Sequence, residues 1–179
     1  LHGELSSSRR ARQHRRVAEA LEARHADDLD TVVAELATHW AEASAGGDPS
    51  RAIELAIRAG DLAADRGAFE NAVRWFEQAL ELMEDEGTSS FDRRRTLVKL
   101  ADVQIYTGAG VEARGNALAA ARASIAAGDL GTACEAMAVS PRASFDSSDP
   151  PDPERTALLR EVLAFGKLTS TQRARMLGH

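Results

Sequence analysis

The chain has 179 residues, 44% apolar but only 4% aromatic, with a formal net charge of −6 and a single cysteine, Cys134. The acid excess argues against non-specific nucleic-acid binding by the chain as a whole, and one cysteine leaves no internal disulfide. No apolar run approaches the roughly 18 residues of a membrane-spanning helix, and Arg9, Arg10, Arg12, Arg15 and Arg16 are not followed by the apolar block of a signal peptide.

These features point to the cytoplasm. Alanine supplies 35 residues and the β-branched residues never alternate over five positions, so the fold class expected is all-α. The length suits one domain with a core or a short solenoid. The chain starts at Leu1 and stops at His179 inside a helical pattern, which reads as a piece of a longer protein.

In chain order, Ser6 to Ser8 can cap a helix running to about Arg24, and Asp28 or Asp30 can start the next, to about Ala45. Residues 1–48 thus read as a helical pair. Asp48 as N-cap with Pro49 at the first helical position starts another helix. It breaks at Arg66-Gly67-Ala68, and its successor ends at Glu84-Asp85-Glu86-Gly87. Ser89 with Asp92 resembles a capping box for a helix to about Tyr106. After Thr107-Gly108-Ala109-Gly110 a helix covers Val111 to Ala127, and after Gly128-Asp129 a short one passes through Cys134 and Met137. Residues 49–139 therefore read as helical hairpins and 140–152 as a loop. Residues 153–179 read as terminal helices, one opened by Asp152-Pro153 and one from Ser170.

Within AIRAGDLAADRGAFENAVRWFEQAL, small residues recur where two helices would cross, at Gly60 and Ala72, with Phe69 and Phe76 a helical spacing away. The 34 residues from Ile53 to Glu86 resemble a tetratricopeptide repeat. Gly60 takes the small eighth position and Gly67 the turn, followed by Phe69, then Ala72, Phe76 and Ala79. The usual aromatic is replaced by Ala63 and the closing proline by Glu84. A weaker repeat sets Gly108 as the turn, Ala101, Ala113, Ala117 and Ala120 at the small positions, and Leu97 and Leu100 at apolar ones. No third unit of that length fits after Gly128. The resemblance implies a right-handed α-α superhelix of about eight to nine helices.

A wider resemblance covers most of the chain. ELSSSRRARQHRRVAEALE, VVAELATHWAEA and RAIELAIRAGDLAADRGAFENAVRWFEQALELME are similar to the region after the ATPase core in LuxR-type signal-transduction ATPases and related actinobacterial regulators. In that family the helical part is a sensor or oligomerisation module. The implied role is a non-enzymatic module of a bacterial transcriptional regulator that binds protein, peptide or other domains of its parent chain, or a second copy.

Motifs for chemistry are sparse. There is no G-x-x-x-x-G-K-[ST] phosphate cradle, and no Cys or His pair has zinc spacing. Glu35 and His39 lie at i and i+4, but a His beside Trp40 on a helix reads as a packed or capping residue. The acidic clusters Asp27-Asp28-Asp30 and Glu84-Asp85-Glu86 read as solvated helix ends. No cofactor, metal or catalytic residue is expected. Gly108 to Ala113 fits the G-x-G-x-x-A of a dinucleotide-binding enzyme, with Asp129 about 20 residues on. Helical spacing at Leu97, Leu100, Ala101 and Ile105 opposes the strand that motif needs. Arg9, Arg12, Arg15 and Arg16 share a face that could contact DNA, with Val17, Ala18 and Leu21 opposite and Glu19 and Glu22 alongside as pairing partners.

The first helix of each hairpin would line a concave recognition groove. Its candidate residues are Glu54, Ile57, Arg58, Asp61 and Asp65 in the first hairpin, and Arg95, Val98, Asp102, Ile105 and Tyr106 in the second. The Lys/Asn pattern that clamps a C-terminal carboxylate is absent, since Ile57 and Asp61 stand in those places.

Overall fold

The computed structural model describes residues 2–45, 47–84, 90–139, 152–164 and 168–170. They form α1 (His2–Arg24), a 3-10 turn (Leu29–Thr31), α2 (Val33–Ala43), α3 (Ser50–Asp65), α4 (Phe69–Leu82), α5 (Ser90–Tyr106), α6 (Gly110–Ala126), α7 (Leu130–Ala138) and α8 (Pro153–Ala164). No strand occurs among the described residues. The chain divides into two compact units, Leu1–Thr88 and Ser89–His179. In each, consecutive helices pack on one another, as in a solenoid-like all-α fold.

Most boundaries follow from local chemistry. Asp48 Oδ1 accepts from the Ser50 N–H at 2.9 Å and the Ser50 hydroxyl at 2.6 Å, so Asp48 supports the first turn, but Pro49 takes the cap position and α3 starts at Ser50, one residue later than expected. Asp152 Oδ1 accepts from the N–H groups of Glu154 and Arg155 at 3.0 and 3.3 Å and starts α8 in the same way. Two further expectations need correction. Helix α1 begins at His2, before the serines proposed to cap it. Neither Asp28 nor Asp30 caps α2; a 3-10 turn intervenes, and the Asp30 carboxylate faces Arg58 instead. The Ser89 cap, the loop at 140–151 and most of the helix expected from Ser170 lie outside the described residues.

Three helix ends share one turn. Gly67, Gly108 and Gly128 have φ of 72°, 80° and 72°, the left-handed region that favours a residue without Cβ. After Gly67, the Ala68 N–H donates to Ala63 O at 2.8 Å. After Gly108 the Ala109 N–H reaches Gln104 O at 3.1 Å, and after Gly128 the Asp129 N–H reaches Ser124 O at 2.9 Å. This is the six-to-one bond of the Schellman motif, which satisfies a terminal carbonyl and reverses the chain. The turn produces the hairpins α3–α4, α5–α6 and α6–α7. The alanine five residues after each glycine (Ala72, Ala113, Ala133) is wholly buried.

In the first unit, Ala18, Val33, Leu36, Ala37, Leu55 and Ala59 form a core with Leu21, Trp40, Leu62 and Trp75 packed against it. Phe76, 1% exposed, lies over Gly60. The side chain against that glycine is therefore the Phe76 ring, whereas the sequence pattern put Ala72 opposite it. The second unit's core is built on Ala101, Ala117, Ala120, Ala121, Ala133 and Ala136 with Leu118, Met137, Leu158 and Val162. Small side chains there let the backbones approach closely. Helix α8 docks through Arg155, whose guanidinium donates to Val139 O at 2.9 Å and Met137 O at 2.5 Å. Those carbonyls belong to the end of α7, where a cation also meets the helix dipole.

Candidate interaction surface

Helices α3 and α5 each bury one face and present a polar stripe on the other. The α3 stripe is Glu54, Arg58, Asp61 and Asp65, with Asp61 half-buried and the rest exposed. On α5 the matching positions are Arg95, Lys99, Asp102 and Tyr106. Both sets stand 13, 9, 6 and 2 residues before their turn glycine, Gly67 or Gly108. A cation at the second position and an aspartate at the third recur in both, Arg58 with Asp61 and Lys99 with Asp102. Lys99 did not enter the sequence candidates, although its spacing to Asp102 and Tyr106 marks it.

Not every candidate lies on a stripe. Val98 is 9% exposed and belongs to the core, and Ile105 packs against the same core. They stand seven residues apart, so helical geometry puts both on the edge of α5 that turns inward. Ile57 is half-buried at the equivalent edge of α3. Tyr106 is 53% exposed beside the turn. Asp102 is exposed, yet burial of its surroundings pushes its carboxyl above the ordinary value of 3.8.

Ion pairs anchor one end of the α3 stripe. Arg58 Nε donates to Asp30 Oδ1 at 2.6 Å, tying α3 to the turn before α2. Arg51 bridges Glu22 of α1 (2.6 and 2.9 Å) and Glu54 (2.7 Å). Burial works against the Arg51 charge, and Glu54 and Glu22 more than offset it, so its pKa rises. Glu54 and Arg58 therefore serve the packing of the first unit as well as its surface. Asp65, by contrast, stands exposed at the end of α3.

The alternative sites take different shapes. Gly108 to Ala113 joins α5 to α6, and no strand leads into it, so the dinucleotide-binding reading loses its structural context. On α1 the exposed basic residues include Arg9, Arg12, Arg15 and Arg16. Arg15 lies 5.8 Å over the Trp40 ring, a cation–π contact. Glu22 pairs with Arg51 and not with its own helix's arginines. Val17 is 43% exposed; the inward face runs through Ala11, His14, Ala18, Leu21 and His25. Val17 thus joins Gln13, Arg16, Ala20 and Arg24 on an open groove.

Cys134 is buried, and desolvation pushes its thiol pKa upward, which disfavours the reactive thiolate. Among the described residues no three His, Cys, Asp or Glu converge on a metal position, and no helix is long and apolar enough to cross a membrane. Comparison with protein-family models, curated proteins and solved structures finds no match.

Proposed function

We propose that the chain is a protein-recognition module of tetratricopeptide type, belonging to a bacterial signal-transduction ATPase of the LuxR-type group, and that it acts by binding and not by catalysis. The observation that carries this reading is the repeated stripe, cation then aspartate at equal distances from the glycines of two Schellman hairpins. Rigid helices hold such charges at fixed spacing, which gives a partner orientation and specificity more than raw affinity.

The partner is a protein segment with complementary charges, from another domain of the parent polypeptide or from a separate chain in the cytoplasm. The test reverses charges that take no part in the ion pairs described above, Asp65→Lys and Asp102→Lys. Both variants should keep their melting temperatures, as surface changes usually stay within about 0.5 kcal/mol. Association with the ATPase part, measured by calorimetry, should weaken, and the loss should shrink as salt rises. Unchanged association, with loss on neutralising Arg9, Arg12 and Arg16 instead, moves the site to α1.

A further inference from the structure

His14 on α1 and His39 on α2 meet with their Nδ1 atoms 3.0 Å apart, ring centroids 5.0 Å apart and planes tilted by 49°. Both residues are half-buried. One ring nitrogen donates to the other in this contact, and each neutral imidazole has one lone pair to offer. Two nitrogens held by one ion at 2.0–2.1 Å stand about 2.9 Å apart at a right angle and about 3.3 Å apart in a tetrahedron. The observed separation falls between those values, so the two nitrogens stand at a spacing one ion can span.

We propose that His14 and His39 form a two-imidazole site for a borderline divalent transition cation, Zn²⁺ or Cu²⁺, bridging α1 and α2. Imidazole nitrogen is the ligand these ions favour. Glu35, one turn before His39, has Oε1 4.0 Å from the His39 Nε2. Its negative charge on that side favours the Nε2–H tautomer electrostatically and leaves the Nδ1 lone pair for the ion. On binding, His14 also takes the Nε2–H form, its proton moving from Nδ1 to Nε2 through solvent, so no proton is released and the site takes on the charge of the ion. No third His, Cys, Asp or Glu among the described residues joins the pair. Water fills the remaining positions, and the ion is exchangeable. Because its ligands come from two helices, it clamps the α1–α2 contact and stabilises the folded form by mass action.

The experiment titrates the full, tag-free chain with Zn²⁺ by calorimetry and with Cu²⁺ by electron paramagnetic resonance. One equivalent should bind in the wild type and in His25→Ala, with two coupled nitrogens in the Cu²⁺ spectrum and a rise in melting temperature. His14→Ala and His39→Ala should each lose at least tenfold in affinity, with at most one coupled nitrogen. His14→Asn and His39→Asn serve if an alanine variant melts early. The proposal is overturned by affinity unchanged in both histidine variants, by fewer than two coupled nitrogens in the wild type, or by no binding at micromolar ion.

Discussion

A single missing Cβ sets how closely α3 and α4 approach. A Cβ built on Gly60 would lie 2.5 Å from Phe76 Cε1, and that ring is enclosed on all sides. Gly60→Ala gains about 1 kcal/mol of helix propensity, but overpacking against a confined ring should outweigh it, for a net loss of about 1–3 kcal/mol in urea unfolding. Phe76→Ala should cost about 3–5 kcal/mol. In the double variant the clash has gone, so Gly60→Ala should then become neutral or stabilising. A Gly60→Ala protein as stable as wild type would show that the ring moves aside freely.

Three aspartates make the fold acid-sensitive. The Ser50 hydroxyl and N–H hold the Asp48 carboxyl below its ordinary value of 3.8, and Arg114 does so chiefly for Asp152. At Asp129 burial pushes upward, but bonds from Thr132 and the Arg94 charge at 3.5 Å outweigh it. Since folding depresses all three, the unfolded chain takes up protons first as pH falls. Their stabilisation is present above pH 3.8 and lost as pH drops through the lower folded values. Asp129→Asn should flatten that acid limb; an unchanged limb would remove Asp129 from it. The sequence showed Asp48 and Gly60 because their partners are near in the chain or obey a spacing rule. It could not show Arg58 meeting Asp30 or His14 meeting His39, pairs 28 and 25 residues apart.

At the scale of elements, the turn glycines and the docking of α8 carry the architecture. Alanine at Gly67 or Gly128 meets no atom within 4 Å, so its cost is purely conformational, about 1–2 kcal/mol for a left-handed backbone. Gly115→Ala, in the middle of α6 with space around it, should stabilise by up to about 1 kcal/mol. Equal effects at all three positions would contradict the turn assignment. Helix α8 is held by Arg155 on the end of α7, by Arg114 on Asp152 and Glu154, and by Arg122 on Glu154. Arg155→Met removes hydrogen bonds from a charged donor, each worth about 1.5–3 kcal/mol. Hydrogen exchange should then quicken in α8 and the last turn of α7 while α5 stays protected; uniform quickening would mean that α8 and α5 open together as one cooperative unit. The hairpin at Gly128 does not complete a third 34-residue unit, because α7 spans only nine residues and lacks the aromatic that marks the first. Its break at Gly128-Asp129 is legible in the sequence, whereas the cap Asp129 gives to the Thr132 N–H is seen only in the structure. Val98 and Ile105 do not belong to the groove, because the helical angle turns the edge of α5 that carries both toward the core.

Over the whole molecule, fold class was legible and function much less so. Helical periodicity, alanine content and punctuation by Gly and Asp-Pro act locally, so they survive in the sequence. A recognition surface is defined by what remains exposed after packing, and no spacing rule separates Arg58, engaged with Asp30, from Asp65. What does survive is the repetition of the stripe from α3 to α5, legible once each position is counted back from its turn glycine. The central claim is that these stripes meet a protein partner, and site-specific photo-crosslinking in the host cell tests it most directly. A photoreactive residue at Asp65 or Asp102 should capture one discrete protein or domain, whereas the same residue at Glu77, exposed on the outer face of α4, should not. Equal capture at all three positions, or capture at Glu77 alone, would contradict the account.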